Sequence, residues 1–192
     1  MKLPSNLQTG DIVLFSGRCF ISNIIKLFTL CRWSHVGMII IDDRYNEPLL
    51  YESTHNDSIP CIDLGFKTQG VQVVRLADRV NQYSGDVGIR RLRMAERNDT
   101  VKYKLRLLRM ALIGRPFEKL FRQAFAALFK INWIDEDLDS LFCSEKVAQC
   151  YIECGWLSKK AKAHHYTQAD FARNIKLENG YLTKIQVIKN GK

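Results

Sequence analysis

HVGMIIIDDRYNEPLLYES, residues 35–53, is the stretch on which the fold turns. Two apolar runs, 36–41 and 48–53, flank the mostly polar segment Asp42-Asp43-Arg44-Tyr45-Asn46-Glu47, and that pattern reads as a β-hairpin. Closing it so that Ile41 faces Pro48 sets Gly37 opposite Glu52. His35 and Gly37 lie on one face, so Glu52 becomes a diagonal neighbour of His35, roughly 7 Å away between backbones and within side-chain reach. A slip of one residue would send Glu52 to the other face, so the pairing of His35 with Glu52 is an expectation about register. The plainer reading of Glu52 is a solvent-facing edge glutamate.

Outward from the hairpin, short β-branched or alternating runs at 11–15, 71–76 and 87–92 read as further strands, with a late one at 184–188. Residues 20–30 place Ile21, Ile24, Ile25 and Phe28 at helical spacing. The same period marks helices at 100–113 and 116–130, divided by Gly114-Arg115-Pro116, where a C′ glycine ends one helix and an N1 proline starts the next. A last helix, 144–154, stops at Gly155. Strands gather in the first half and helices in the second, which gives the α+β class. No repeat, low-complexity block or linker divides the chain, so 1–192 reads as one domain with a basic helical insertion at about 100–130.

The chain has 192 residues, 46% of them hydrophobic, with 11 Gly and 4 Pro. That composition suits a packed core and excludes collagenous or wholly disordered chains. The longest apolar runs, such as 36–41 and 124–129, fall far short of the roughly 18 residues a membrane-spanning helix needs. Met1-Lys2-Leu3-Pro4-Ser5-Asn6 has no apolar run behind its lysine and does not read as a secretory signal, so the expected location is the cytoplasm. Cysteines 19, 31, 61, 143, 150 and 154 are accordingly expected as thiols. The net charge of +9 eases approach to anionic partners. Much of it lies at 100–130, where Lys102, Lys104, Arg106, Arg109, Arg115, Lys119, Arg122 and Lys130 stand against Glu118 alone. A solvated cationic helix face is the plain reading, and contact with an anionic membrane surface is the functional one.

Cys143 carries the chemistry. In Leu141-Phe142-Cys143-Ser144-Glu145-Lys146-Val147 it falls at a helix start, where free backbone N–H groups and the positive end of the dipole favour thiolate. Val147, Cys150, Tyr151 and Cys154 follow as an inward stripe, which makes the two later cysteines packing residues. A nucleophilic cysteine needs a base. Of His35, His55, His164 and His165, His35 is the best placed, at the mouth of an apolar strand; His164 and His165 read as a surface pair. Glu52 would then hold the imidazole in one tautomer. The spacing Cys150-x3-Cys154-x9-His164-His165 fits no common zinc pattern, so no metal is expected, and no cofactor-binding glycine loop or Gly-x-Ser-x-Gly elbow occurs.

These residues resemble the circularly permuted branch of the NlpC-like papain-fold cysteine peptidases and amidases, the YiiX-like group that includes a set of poxviral proteins. Thr9-Gly10-Asp11-Ile12 is similar to that family's opening Gly-Asp strand, Ser34-His35-Val36-Gly37 to its histidine motif, and Phe142-Cys143-Ser144-Glu145 to its nucleophile motif. Tyr51-Glu52-Ser53 falls where the family carries its third polar residue. Gly114-Arg115-Pro116-Phe117-Glu118 is similar to a Gly-x-Pro-Tyr-Asp segment, and Tyr166-Thr167-Gln168-Ala169-Asp170 to a closing Thr-Pro-x-Asp with Gln in place of Pro. The resemblance implies a papain-like core in which an antiparallel sheet bearing His35 and Glu52 packs on the helix bearing Cys143.

The expectation is therefore a thiol hydrolase or acyltransferase working through Cys143, His35 and Glu52, with Asp11 structural and the Cys143 backbone N–H an oxyanion donor. Its substrate would be a peptide amide or an acyl lipid, in the cytoplasm, or in a host cytoplasm or virion if the chain is viral. The competing expectation is a non-catalytic cationic module that binds membrane or nucleic acid. No motif of a sequence-specific nucleic-acid reader is present.

Overall fold

The computed structural model describes residues 3–55, 58–115 and 140–191. In chain order the elements are β1 (Ile12–Ser16), α1 (Phe20–Thr29), β2 (His35–Ile40), β3 (Leu49–Thr54), β4 (Gly70–Arg75), α2 (Leu76–Gln82), β5 (Asp86–Arg90), β6 (Leu92–Arg93), α3 (Asp99–Leu112), α4 (Ser140–Glu153), α5 (Gln168–Ala172), β7 (Tyr181–Leu182) and β8 (Gln186–Lys189). Six strands form an antiparallel sheet in the order β4-β3-β2-β1-β5-β8, and β6 pairs with β7 in a separate ribbon. The α+β class and the antiparallel sheet packed on the Cys143 helix are as expected.

Side chains alternate across the sheet and sort its core into two layers. Ile12, Leu14, Val36, Met38, Tyr51, Val71 and Val73 point toward α4, where Val147, Ala148, Cys150 and Tyr151 meet them. Val13, Phe15, Ile39, Leu50 and Val74 point the other way, toward Leu76 and Val80 of α2. The β2–β3 pairs are Met38↔Tyr51, Ile39↔Leu50 and Ile40↔Leu49, the register that carries on to Gly37 opposite Glu52. His35 and Glu52 therefore share the face that looks toward α2.

Gly10 joins the sheet to α4. At φ +92° it adopts a conformation that side chains resist, and a Cβ there would lie 2.7 Å from the Trp156 ring. The Tyr151 hydroxyl donates to the Gly10 carbonyl, and its ring meets that of Trp156 edge-on. Asp11 closes the turn: its carboxylate accepts from the N–H groups of Gln8 and Leu92. Burial nevertheless raises the Asp11 pKa, against those two hydrogen bonds and the charges of Arg91 and Arg97.

Three expectations are corrected. The 87–92 strand is two elements, because Leu92 turns its N–H to Asp11 while Arg91 donates its own to Thr183, which draws the chain away toward β7. The segment after β4 is helical where no helix was expected, with Leu76, Arg79 and Val80 on its buried side. The last long helix begins at Ser140, four residues before the expected start, so Cys143 is its fourth residue. Gly114 does end α3, at φ +70°, while the expected helix at 116–130 and the Pro116-Phe117-Glu118 half of its motif lie outside the described residues.

Candidate active site

Three elements converge at the end of β2 where His35 stands. β3 stays paired with β4 as far as Thr54↔Gly70, but its ladder to β2 ends at Met38↔Tyr51, so the two strands part beyond that point. The N–H of Val36 is thereby released from the ladder and donates to Cys143 Sγ at 3.4 Å. Cys143 comes from the α4 layer and is wholly buried.

His35 links the sulfur to a carboxylate. Its Nε2 donates to Glu52 Oε2 at 2.8 Å, and the imidazole also makes a hydrogen bond with Cys143. With Nε2 committed to Glu52, the other ring nitrogen faces the thiol. Phe15, directly across the β1–β2 ladder, packs its ring 5.4 Å from that of His35. Ser34 beside it accepts from the Gly17 N–H and fixes the strand entry.

The electrostatics follow from burial and partners. Burial by itself disfavours the imidazolium, but the charge and hydrogen bond of Cys143, then those of Glu52, outweigh it and raise the His35 pKa to about 9. Glu52 is fully buried, which alone would push its carboxyl up. The charge of Arg79, the hydrogen bond and charge of His35, and the Gln72 amide reverse that and hold Glu52 below the usual carboxylate range. Arg79 Nε lies 3.0 Å from Oε1 and 3.3 Å from Oε2, and Gln72 Nε2 donates to Oε1 at 3.1 Å.

Neither Arg79 nor Gln72 was singled out from the sequence. The available signal was a basic residue three positions after Leu76 and one before Val80, where helical periodicity asks for an apolar one. Other expected packing residues stand as read: Val147, Cys150 and Tyr151 are buried, Cys154 is half-buried, and burial pushes the Cys150 thiol up and the Cys154 thiol up to about 12. His164 and His165 are exposed neighbours in a 3-10 turn, their rings edge to face. Ser144 donates to the Tyr166 carbonyl and so ties the Cys143 helix to the Thr167–Asp170 capping box of α5.

No curated protein sequence matches this chain. A crystal structure described as the metalloprotein YiiX from Escherichia coli O157:H7 superposes on 96% of this chain and 97% of that one, with a TM-score of 0.51 at 19% identity, a likeness of fold. Among the described residues of this chain no three His, Cys, Asp or Glu side chains gather as a metal site. Residues 6–178 match the model of the permuted papain-like amidases, the YaeF/YiiX or C92 family, and the chain belongs to that family.

Proposed function

We propose that the protein cleaves amide bonds by thiol catalysis, with Cys143 as nucleophile, His35 as the acid and base, and Glu52 orienting His35. The observation that carries this is the continuous chain of contacts from Sγ through the imidazole to a buried, ionised carboxylate. The thiol proton passes to His35, and the sulfur attacks the substrate carbonyl carbon to give a tetrahedral oxyanion. Backbone N–H groups near the sulfur, that of Val36 among them, are candidate oxyanion donors, each a kind of contact worth about 3 kcal/mol in the transition state; the Cys143 N–H, in the fourth position of its helix, is taken up by the helix itself. Collapse breaks the C–N bond, and His35 returns its proton to the leaving amine. Water activated by His35 then opens the thioester in a hydrolase; an acceptor hydroxyl or amine in its place makes the same site an acyltransferase.

A second reading concerns the substrate. On α3, Tyr103, Leu107 and Met110 stand outward as an exposed stripe beside Lys102 and Arg106. That arrangement supports acyl lipids at an anionic surface over free peptides. The six free cysteines suit a reducing compartment such as the cytoplasm. Among the described residues no helix is long and apolar enough to cross a membrane.

The test is the alkylation rate of each cysteine between pH 5 and 9, located by mass spectrometry in wild type and His35→Ala, followed by turnover of peptide amides and acyl lipids with Cys143→Ala as control. Fast labelling of Cys143 that depends on His35, with turnover lost in Cys143→Ala, is the expected result. Full turnover in Cys143→Ala would remove the proposal. If Cys143 also labels no faster than Cys150, salt-sensitive binding to anionic liposomes would favour the non-catalytic module instead.

A further inference from the structure

We propose that Arg79 is a positioning residue of this site, acting on the sulfur only through Glu52; the assignment rests on the thiol reading above. Arg79 projects from α2 with 3% of its surface exposed. A guanidinium that deep is unfavourable unless paired, and among the described residues Glu52 is the only acid within ion-pair distance of it. Its Nε spans both carboxylate oxygens, its Nη2 donates to Thr54 Oγ1 at 3.3 Å, and its guanidinium lies over the Phe15 ring, the ring that also backs His35. The groups facing Glu52 are therefore His35 from β2, Gln72 from β4 and Arg79 from α2, with Tyr83 just past α2 and Cys143 beyond the imidazole.

This arrangement has a consequence for proton traffic. When His35 gives its proton away, a Glu52 held by His35 alone would be a buried charge facing a neutral ring, and it would tend to take up a proton itself. Arg79 supplies a positive charge to the carboxylate in both states of His35. The carboxylate then stays an acceptor, and the proton moves between Cys143 and His35 without passing to Glu52. Thr54 and Gln72 fix the plane of the pair, so Oε2 remains aimed at Nε2.

The test uses two readouts on the full chain. Carboxyl 13C NMR follows Glu52, and iodoacetamide labelling against pH follows Cys143. In Arg79→Met the Glu52 titration is expected to move up by about one pH unit or more, and Cys143 labelling on the acid limb to slow about tenfold, one unit being tenfold. Arg79→Lys, which keeps the charge, is expected to restore most of both. A Glu52 shift with an unchanged Cys143 profile would overturn the proposal by leaving Arg79 a structural ion pair. Because Arg79→Met strands a buried carboxylate and Glu52→Gln strands a buried guanidinium, each is compared with Glu52→Gln/Arg79→Met, which buries no unpaired charge. Labelling in the double variant no slower than in Glu52→Gln supports action through Glu52, and a further severalfold slowing in the double variant overturns it. Wild-type Cys143 labelling no faster than Cys150 would instead mark failure of the thiol reading, while the NMR arm still reports whether Arg79 controls Glu52.

Discussion

Replacing His35 with Gln is expected to remove a contribution to stability that depends on pH in a defined window. The ordinary imidazole value is 6.5, and in the folded chain Cys143 and Glu52 raise it to about 9. A group whose folded value is raised stabilises fully below its unfolded value and loses that contribution as pH climbs through the folded one. At about 1.4 kcal/mol for each pH unit, the gap amounts to roughly 3.5 kcal/mol, present at pH 6 and gone above pH 9. Urea unfolding under reducing conditions at intervals from pH 6 to 9.5 gives the free energy of wild type and of His35→Gln. Their difference is expected to shrink by that amount across the window. Taking the difference cancels the unfolded-state titration of Cys150 and Cys154, which both chains share. The same comparison in a Cys143→Ala background should give a smaller change, because two of the contributions that raise His35 come from the sulfur. A difference flat from pH 6 to 9.5 would refute the charged, doubly partnered His35 on which the electrostatic account rests.

Other perturbations probe the frame around the site. Gly10→Ala combines a φ of +92° with a Cβ 2.7 Å from the Trp156 ring, and left-handed strain plus overpacking should cost about 3 kcal/mol in urea unfolding. Gln168 is fully buried and neither amide atom has a partner among the described residues; Gln168→Met, similar in shape and free of those atoms, should raise stability by about 1 kcal/mol. Because Cys143 is wholly buried, its labelling should plateau as reagent concentration rises, the limit being the rate at which the site opens. A rate that stays proportional to reagent would show that the sulfur is reached without opening.

The hairpin was legible from two apolar runs flanking a polar segment, but its register was not, because both strands are buried on both faces. Residues 36–41 and 48–53 admit two pairings of opposite face, and only one keeps Met38, Ile40 and Tyr51 in the layer that meets α4. That pairing carries Glu52 to the side of His35, so the carboxylate's place, an expectation about register in the sequence, follows once the layer that meets α4 is known. The start of the Cys143 helix was less legible, since Ser140 and Ser144 both serve as starting residues and propensity does not choose between them. The split of 87–92 depends on Asp11 and Thr183, residues 81 and 92 positions away from the N–H groups they accept. No local pattern could hold that information.

Arg79 shows the same limit from the other side. Its helix is seven residues long, too short to be stable by propensity, and it forms because Leu76 and Val80 pack on the sheet face shared by Val13 and Phe15. A cation on that inward side makes sense only once Glu52 is known to lie there, and Glu52 lies there only in one register of the hairpin. The buried pair and the hairpin register therefore constrain each other. Shifting β3 by one residue would turn Leu50 and Glu52 to the other face together and leave Arg79 over Phe15 without its carboxylate, a loss of about 3–5 kcal/mol for an unpaired buried charge. On this argument the ion pair behind the imidazole does more than support chemistry at Cys143: it penalises the alternative register in which His35 and Glu52 would never meet.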